Sequence, residues 1–375
     1  MSKKYDVAAF IWPSYTGDET RSRMFWDEGY GEWQTVKNVS KNCYKKRDWY
    51  ENHWQGRQPV WGYVNEANAD VMQMQIDCAV SHGVNVFIYD WYWYDNRPYL
   101  ENCLNDGFLK AKNNDEMKFY LMWANHDVTH LWDIRNSSYV DEVIWAGAVT
   151  PEIYKGIVDR WINKYFSHPS YYKIDGKPVL MIYDPSNFVK TFGNVENAKK
   201  GVEYLREQAV KAGHKGVYLQ MVAYAESAQH YAGEGKTLGN WETCQALGLD
   251  ALTHYQWVAF ADPDRDYSEW AEAAKKQYAK MDEKGAVYFP NVSLGWDNNP
   301  RFEDYTYGVI KNATPDKIES AFRTAKEYVD THDLPAPLIT VNSWNEWTET
   351  SYLQPDRKYG YGYLNAVKKV FVDKE

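Results

Sequence analysis

The chain is expected to be an α/β protein, a single (β/α)₈ barrel of the TIM type, with a long aromatic-rich loop after its first strand. Three observations lead there. Short β-rich runs alternate with longer amphipathic stretches eight times over 375 residues. Several runs are nearly continuously apolar, Val179-Leu180-Met181-Ile182-Tyr183 among them, as strands of a parallel sheet covered by helices must be. No Gly-x-Gly-x-x-Gly turn follows the first run, which lowers the competing doubly wound sheet.

In chain order, the strand-like runs are 5–12, 85–91, 118–125, 178–183, 216–223, 251–255, 286–294 and 338–344. Each precedes a segment with helical periodicity: 65–82, 99–112, 152–166, 195–212, 240–247, 268–284, 314–331 and 360–373. Thr314-Pro315 reads as an N-cap followed by an N1 proline, and Gly213 and Gly285 read as C-terminal stops. No linker, low-complexity tract or short repeat divides the chain, and a barrel accommodates this length, so residues 1–375 are taken as one catalytic domain. Residues 13–64 form an oversized connection rich in Trp and Tyr. Long loops inside compact domains are usually functional, so this one is expected to wall or cover the site.

Composition narrows the function. Hydrophobic residues make up 44% and charged residues 25%, the balance of a folded globular chain. Net charge is −10, so the chain lacks the electrostatic footprint for nucleic acid, and no nucleic-acid partner is expected. No run of 18 apolar residues exists, so no membrane insertion is expected. Strand-like sequence begins at once after Met1-Ser2-Lys3-Lys4, leaving no room for a signal peptide. As it stands the chain reads as soluble and cytoplasmic, or as periplasmic or secreted if a leader has been removed. Cys43, Cys78, Cys103 and Cys244 are too far apart for a CxxC pair and too few for a disulfide scaffold. No feature sets the oligomeric state.

In such a barrel, chemistry belongs at the C-terminal ends of the strands. Those ends carry Trp12; Asp90, Trp91 and Trp93; Trp123, Asn125 and His126; His254 and Tyr255; Trp296 and Asp297; and Asn345. Aromatic residues total 63, of which 18 are Trp. Flat rings for stacking on sugar faces, beside amides and carboxylates that can hold hydroxyls, describe a carbohydrate pocket, although rings pack cores as well. These twelve residues are the candidate substrate contacts, and the expected partner is an oligosaccharide or polysaccharide. The sharpest signal is Asn345-Glu346-Trp347-Thr348-Glu349 after strand 8. Two carboxylates three apart share one face of a turn, and glycoside cleavage needs a proton donor and a second carboxylate. Glu346 and Glu349 are therefore the candidate catalytic pair. A glutamate beside a second carboxylate and large rings should have a raised pKa, which is expected of Glu349, with Glu346 remaining ionised. His126 and His130 are four apart, with His254 elsewhere, but no His-Glu-x-x-His helix motif supports zinc. Neither a metal nor a cofactor is expected.

The run Ser343-Trp344-Asn345-Glu346-Trp347-Thr348-Glu349 resembles the strand-8 motif of glycoside hydrolase family 99, the endo-acting α-mannosidases and α-mannanases. Tyr89-Asp90-Trp91-Tyr92-Trp93, Trp123-Ala124-Asn125, Ser167-His168-Pro169-Ser170-Tyr171-Tyr172 and Ser293-Leu294-Gly295-Trp296-Asp297-Asn298 are similar to segments of the bacterial family-99-like, or WbsX-type, domains. Those relatives are often labelled glycosyltransferases because they accompany polysaccharide loci. The resemblance implies a (β/α)₈ barrel and a retaining glycosidase for an α-manno-configured or similar glycan. Glu346 would deprotonate the sugar 2-hydroxyl so that it attacks C1, and Glu349 would act as general acid and base. The continuation Thr350-Ser351-Tyr352-Leu353 departs from family 99 toward the WbsX-type relatives. A glycosyltransferase and an inactive glycan-binding barrel are the alternatives.

Overall fold

The computed structural model of the protein describes residues 5–306 and 308–373. Eight parallel strands form its centre: β1 Asp6–Ile11, β2 Val86–Tyr94, β3 Lys118–Trp123, β4 Lys177–Ile182, β5 Tyr218–Ala223, β6 Ala251–His254, β7 Asn291–Ser293 and β8 Leu338–Asn342. They lie in the order β6, β5, β4, β3, β2, β1, β8, β7, each parallel to its neighbour. The ring closes where Leu252 meets Tyr288 in a parallel bridge: its N–H donates to the Val287 carbonyl and its carbonyl accepts from Phe289 N, both at 2.9 Å. The sequence reading of 286–294 as one strand is corrected here. Residues 287–289 pair with β6, Pro290 interrupts because it has no N–H to give a ladder, and β7 then pairs with β8.

The helices are α1 Trp33–Asn42, α2 Ala69–Ser81, α3 Pro151–Trp161, α4 Pro185–Phe192, α5 Val195–Lys211, α6 Asn240–Leu247, α7 Tyr267–Glu283, α8 Pro315–Thr331 and α9 Gly362–Phe371. Local chemistry sets their starts. The Asn68, Thr150, Asp184, Asn194 and Asp266 side chains accept from first-turn N–H groups, and prolines open α3, α4 and α8. Thr314 occupies the cap of α8 without a capping hydrogen bond. Gly213 and Gly285 follow α5 and α7 at φ +93° and +67°, as left-handed stops do.

The expected helix over 99–112 is absent. β2 instead runs on into a hairpin with Arg97–Tyr99, turned by Asp95 and Asn96 at φ 54° and 56°, a two-residue turn suited to such residues. Only short π and 3₁₀ turns follow, over Cys103–Gly107 and Phe108–Lys110. The connection over 13–64 is structured, carrying α1 and several short turns. Its course depends on Gly31, where a Cβ would sit 1.6 Å from the Ser14 carbonyl oxygen. Among the described residues no helix is long and apolar enough to cross a membrane.

Candidate functional site at the strand ends

Alternation along β2 decides which residues face inward. Asp90 and Tyr92 point into the barrel, whereas Trp91 and Trp93 point toward the surrounding helices. Asp90 and Tyr92, with Trp12, His126, Trp132, Tyr183, Tyr255, Arg301, Glu346 and Glu349, surround a cavity of about 300 Å³. Met122, Ala124 and Leu131 complete its wall.

The Glu-x-x-Glu motif sits in a tight hairpin. Asn345–Glu346 pairs antiparallel with Ser351–Tyr352, and Trp347–Glu349 forms the turn between them. Glu346 N donates to Ser343 Oγ (2.7 Å) and Trp347 N to the Tyr15 hydroxyl (3.2 Å), while the Trp347 and Tyr352 rings stack at 3.8 Å. This fastening aims both carboxylates into the same cavity.

Arg301 organises them. Its Nη1 donates to Glu349 Oε1 (2.7 Å), its Nε to Glu32 Oε1 (2.9 Å), and its Nη2 lies 3.5 Å from Glu346 Oε2. Trp12 Nε1 donates to the other oxygen of Glu32 (2.5 Å), so the loop after β1 supplies part of the site. The Tyr255 hydroxyl lies 3.0 Å from Glu346 Oε1 and 3.1 Å from Asp90 Oδ2. The one hydroxyl hydrogen is either shared between the two carboxyls or given to one while the other, protonated, donates to the Tyr255 oxygen. The electrostatics agree. Burial pushes Asp90 well above the usual carboxylate range, aided by Glu349. Burial and then repulsion from Glu349 do the same to Glu346. Glu349 is raised by burial but drawn back by Arg301. The raised Glu349 expected from the sequence is present, and burial raises Glu346 as well, while the closer guanidinium contact falls to Glu349. Among the described residues, Asp90 Oδ1, Glu346 Oε2 and Glu349 Oε2 have no protein hydrogen-bond partner.

The structure brings together Trp12, Asp90, His126, Tyr255, Glu346 and Glu349, and places the other expected contacts elsewhere. Trp91 is buried, donates to Glu101 (2.8 Å) and stacks on Trp93. Trp123 packs on Tyr154, Trp161 and Phe188. Asn125 exchanges two 2.8 Å hydrogen bonds with the Asp184 backbone and extends the β3–β4 pairing. His254 is buried against Phe260 with Nδ1 on the Tyr288 hydroxyl, its pKa driven down to about 3 by burial. Trp296 packs half-buried against the core. Asp297 accepts from Trp49 Nε1 (2.6 Å) and Asn299 Nδ2 (2.8 Å) and faces a different cavity. Asn345 ties its amide to both backbone groups of Trp12 and to Glu66. Arg301, Glu32, Tyr92, Trp132 and Tyr183 escaped the sequence reading. Tyr92 was open to it, being two residues from Asp90 on the same face.

A cavity at the strand ends of a parallel eight-stranded barrel, lined by paired carboxylates and rings, defines a glycosidase-like (β/α)₈ protein. The chain belongs to the family described as Glycosyltransferase WbsX, which it matches over residues 7–367. It is 23% identical over 360 residues to the protein WxcX of Xanthomonas campestris pv. campestris, covering 92% of this chain and 46% of that one. The chain therefore spans about half the length of the curated relatives it matches. In fold it is similar to the family-99 endo-α-mannosidase of Bacteroides thetaiotaomicron in complex with bis-tris-propane, at TM-score 0.59 and 14% identity, covering 98% of this chain and 96% of that one. It is likewise similar to a glycoside hydrolase-like protein at TM-score 0.59 and 14% identity, covering 100% and 95%.

Proposed function

We propose that the protein is a retaining glycoside hydrolase, one catalytic barrel over residues 1–375, that cleaves an α-manno-configured or similar glycan through Glu346 and Glu349. One observation carries this reading: Asp90, Glu346 and Glu349 each present a carboxylate oxygen that has no hydrogen-bond donor among the described residues to a single ring-lined cavity. Sugar hydroxyls are the donors such oxygens lack. Raised carboxyl pKa values supply a proton for the departing oxygen near neutral pH, and Arg301 offsets the negative charge that remains. Trp12, Tyr92 and Trp132 provide faces for the sugar ring.

Participation of the substrate's 2-hydroxyl sets a stereochemical condition. O2 must approach C1 from the side opposite the leaving oxygen, so the two must be trans, as in an α-mannoside and not in an α-glucoside. The test is proton NMR of the first-formed product from α-manno-configured oligosaccharides. Net retention, with no turnover of the matching 2-deoxy substrate, is expected. Inversion, or ready cleavage of the 2-deoxy compound, defeats the 2-hydroxyl route.

The family's description favours a second reading, a glycosyltransferase. Asp262-Pro263-Asp264-Arg265-Asp266 has the Asp-x-Asp spacing of metal-dependent transferases. Here, however, Asp264 pairs with Lys311 (2.9 Å), and Asp266 caps α7 and pairs with Lys317 (2.7 Å). Transfer from a nucleotide sugar to an acceptor, with no hydrolysis of any glycan, would establish that reading instead.

A further inference from the structure

A second cavity, of about 190 Å³, includes His53, Arg57, Lys358, Asp297 and Thr350 in its lining. All come from loops at the C-terminal end of the barrel, and the cavity shares no lining residue with the one holding the glutamates. Its charge runs against that of the chain. The net charge is −10, yet Arg57, Lys358, Lys311 and His53 line this cavity with a single carboxylate, Asp297.

That carboxylate is already occupied. Oδ2 accepts from Trp49 Nε1 (2.6 Å), and Oδ1 accepts from Asn299 N (3.1 Å) and Nδ2 (2.8 Å). Lys311 is paired with Asp264. Arg57 is buried and spends its donors on neutral groups, Nε on the His53 carbonyl (3.0 Å) and Nη1 on the Tyr352 hydroxyl (3.1 Å). Asp356 is met only through that hydroxyl, which donates to Asp356 Oδ2 (2.7 Å). Among the described residues no carboxylate is in direct ion-pair contact with Arg57 or Lys358, and Asp356 acts on both only through space. The buried guanidinium thus has no direct anionic partner, and an anion in the cavity would give it one, with the exposed Lys358 ammonium at the rim as a second donor.

We propose that this cavity binds one small oxyanion, a carboxylate or phosphate group, through Arg57, Lys358 and His53. Its volume lies below the range that encloses drug-sized ligands, so it takes a charged substituent or a free ion rather than a length of chain. Anion capture here stands apart from the glycoside chemistry. It also reaches toward it, because Thr350 directly follows Glu349 and Asp297 N donates to the Glu349 carbonyl (2.8 Å), so an occupant braces the turn bearing that glutamate.

Isothermal titration of the full chain with inorganic phosphate, with glucuronate and with uncharged glucose, at constant ionic strength, tests this. Saturable binding of at least one anion is expected, with Lys358→Met and Arg57→Lys each weakening it about tenfold or more, as for loss of a charge-assisted hydrogen bond. Phosphate binding without glucuronate binding identifies a free ion as the occupant. Glucuronate binding that glucose does not reproduce identifies an acidic sugar. Circular dichroism establishes that each variant is folded, and if Arg57→Lys is not, Lys358→Met at its exposed position decides alone. Absence of saturable anion binding, or binding indifferent to the substitutions in folded protein, overturns the assignment.

Discussion

Replacing Arg301 by Met removes the one guanidinium that contacts Glu32, Glu349 and Glu346, at 2.9, 2.7 and 3.5 Å. Its side chain is 4% exposed, so its interaction with the carboxylates is little screened by salt. Breaking a buried pair by deleting one partner costs about 3–5 kcal/mol at neutral pH. The sign with pH follows from what the carboxyls then do. Glu346 and Glu349 already lie above the ordinary range, and losing the cation raises both further. A carboxyl that stays protonated when folded but ionises when unfolded lowers stability by about 1.4 kcal/mol for each pH unit above the unfolded value near ~4.3. The variant should therefore approach wild-type stability at about pH 4.5 and fall progressively behind toward pH 8. Urea midpoints followed by tryptophan fluorescence at several pH values measure this directly. An equal deficit at both ends would mean that Arg301 acts by packing and that the carboxylates do not depend on it.

Three further outcomes are expected. Glu349→Gln should lower turnover of glycosides with poor leaving groups by about 10²–10⁴-fold and activated aryl glycosides less, measured as kcat/KM; equal loss on both would remove its role as acid. Trp132→Ala and Trp123→Ala should each cost about 3–5 kcal/mol, since both rings are buried, but only Trp132→Ala, which lines the cavity, should lower glycan affinity in the folded fraction. Glu66 is buried among Gln75, Asn345 and Gln354, and its pKa is raised to about 7 by burial. Its folded pKa exceeds the unfolded value, so its contribution is complete below ~4.3 and lost as pH rises through 7. Glu66→Gln should flatten the stability curve across that window, and an unchanged slope would show that Glu66 does not titrate there.

The barrel was legible because its strands are apolar runs of the right length and its helices carry their caps in the sequence. Asn240–Leu247 was read to the residue. The misreadings share a cause. At 99–112 an amphipathic pattern was overridden by a hairpin turned at Asp95-Asn96, and at 286–294 one proline split an otherwise uniform run. The site was half legible. Glu346, Glu349, Asp90 and Tyr255 follow from position at strand ends, but four tryptophans there, Trp91, Trp93, Trp123 and Trp296, face away from the cavity. Position at a strand end does not say which face a side chain takes; the alternation along β2 does, and it separates Asp90 and Tyr92 from their neighbours. Arg301 lay beyond reach because its meaning comes from Glu32, 269 positions away, in a loop whose path no local pattern reveals.

The placement of Arg301 also governs how the carboxyl pair shares its protons. Asp90, Glu346 and Glu349 face one cavity with one guanidinium among them, and in a medium of low polarity three neighbouring negative charges are disfavoured. Geometry ranks the groups. Glu349 holds a direct guanidinium hydrogen bond that favours its ionised form, while Glu346 and Asp90 meet at the Tyr255 hydroxyl. Before substrate arrives, the guanidinium thus favours an ionised Glu349, whereas the roles implied by family resemblance require Glu349 to donate a proton. The two are reconciled if the pair titrates as a unit and the proton relocates when a sugar hydroxyl contacts Glu346. The limbs of a pH–rate profile then belong to the pair rather than to either residue. On that basis Glu346→Gln should displace both limbs, and displacement of one limb alone would assign separate, independent titrations to the two glutamates.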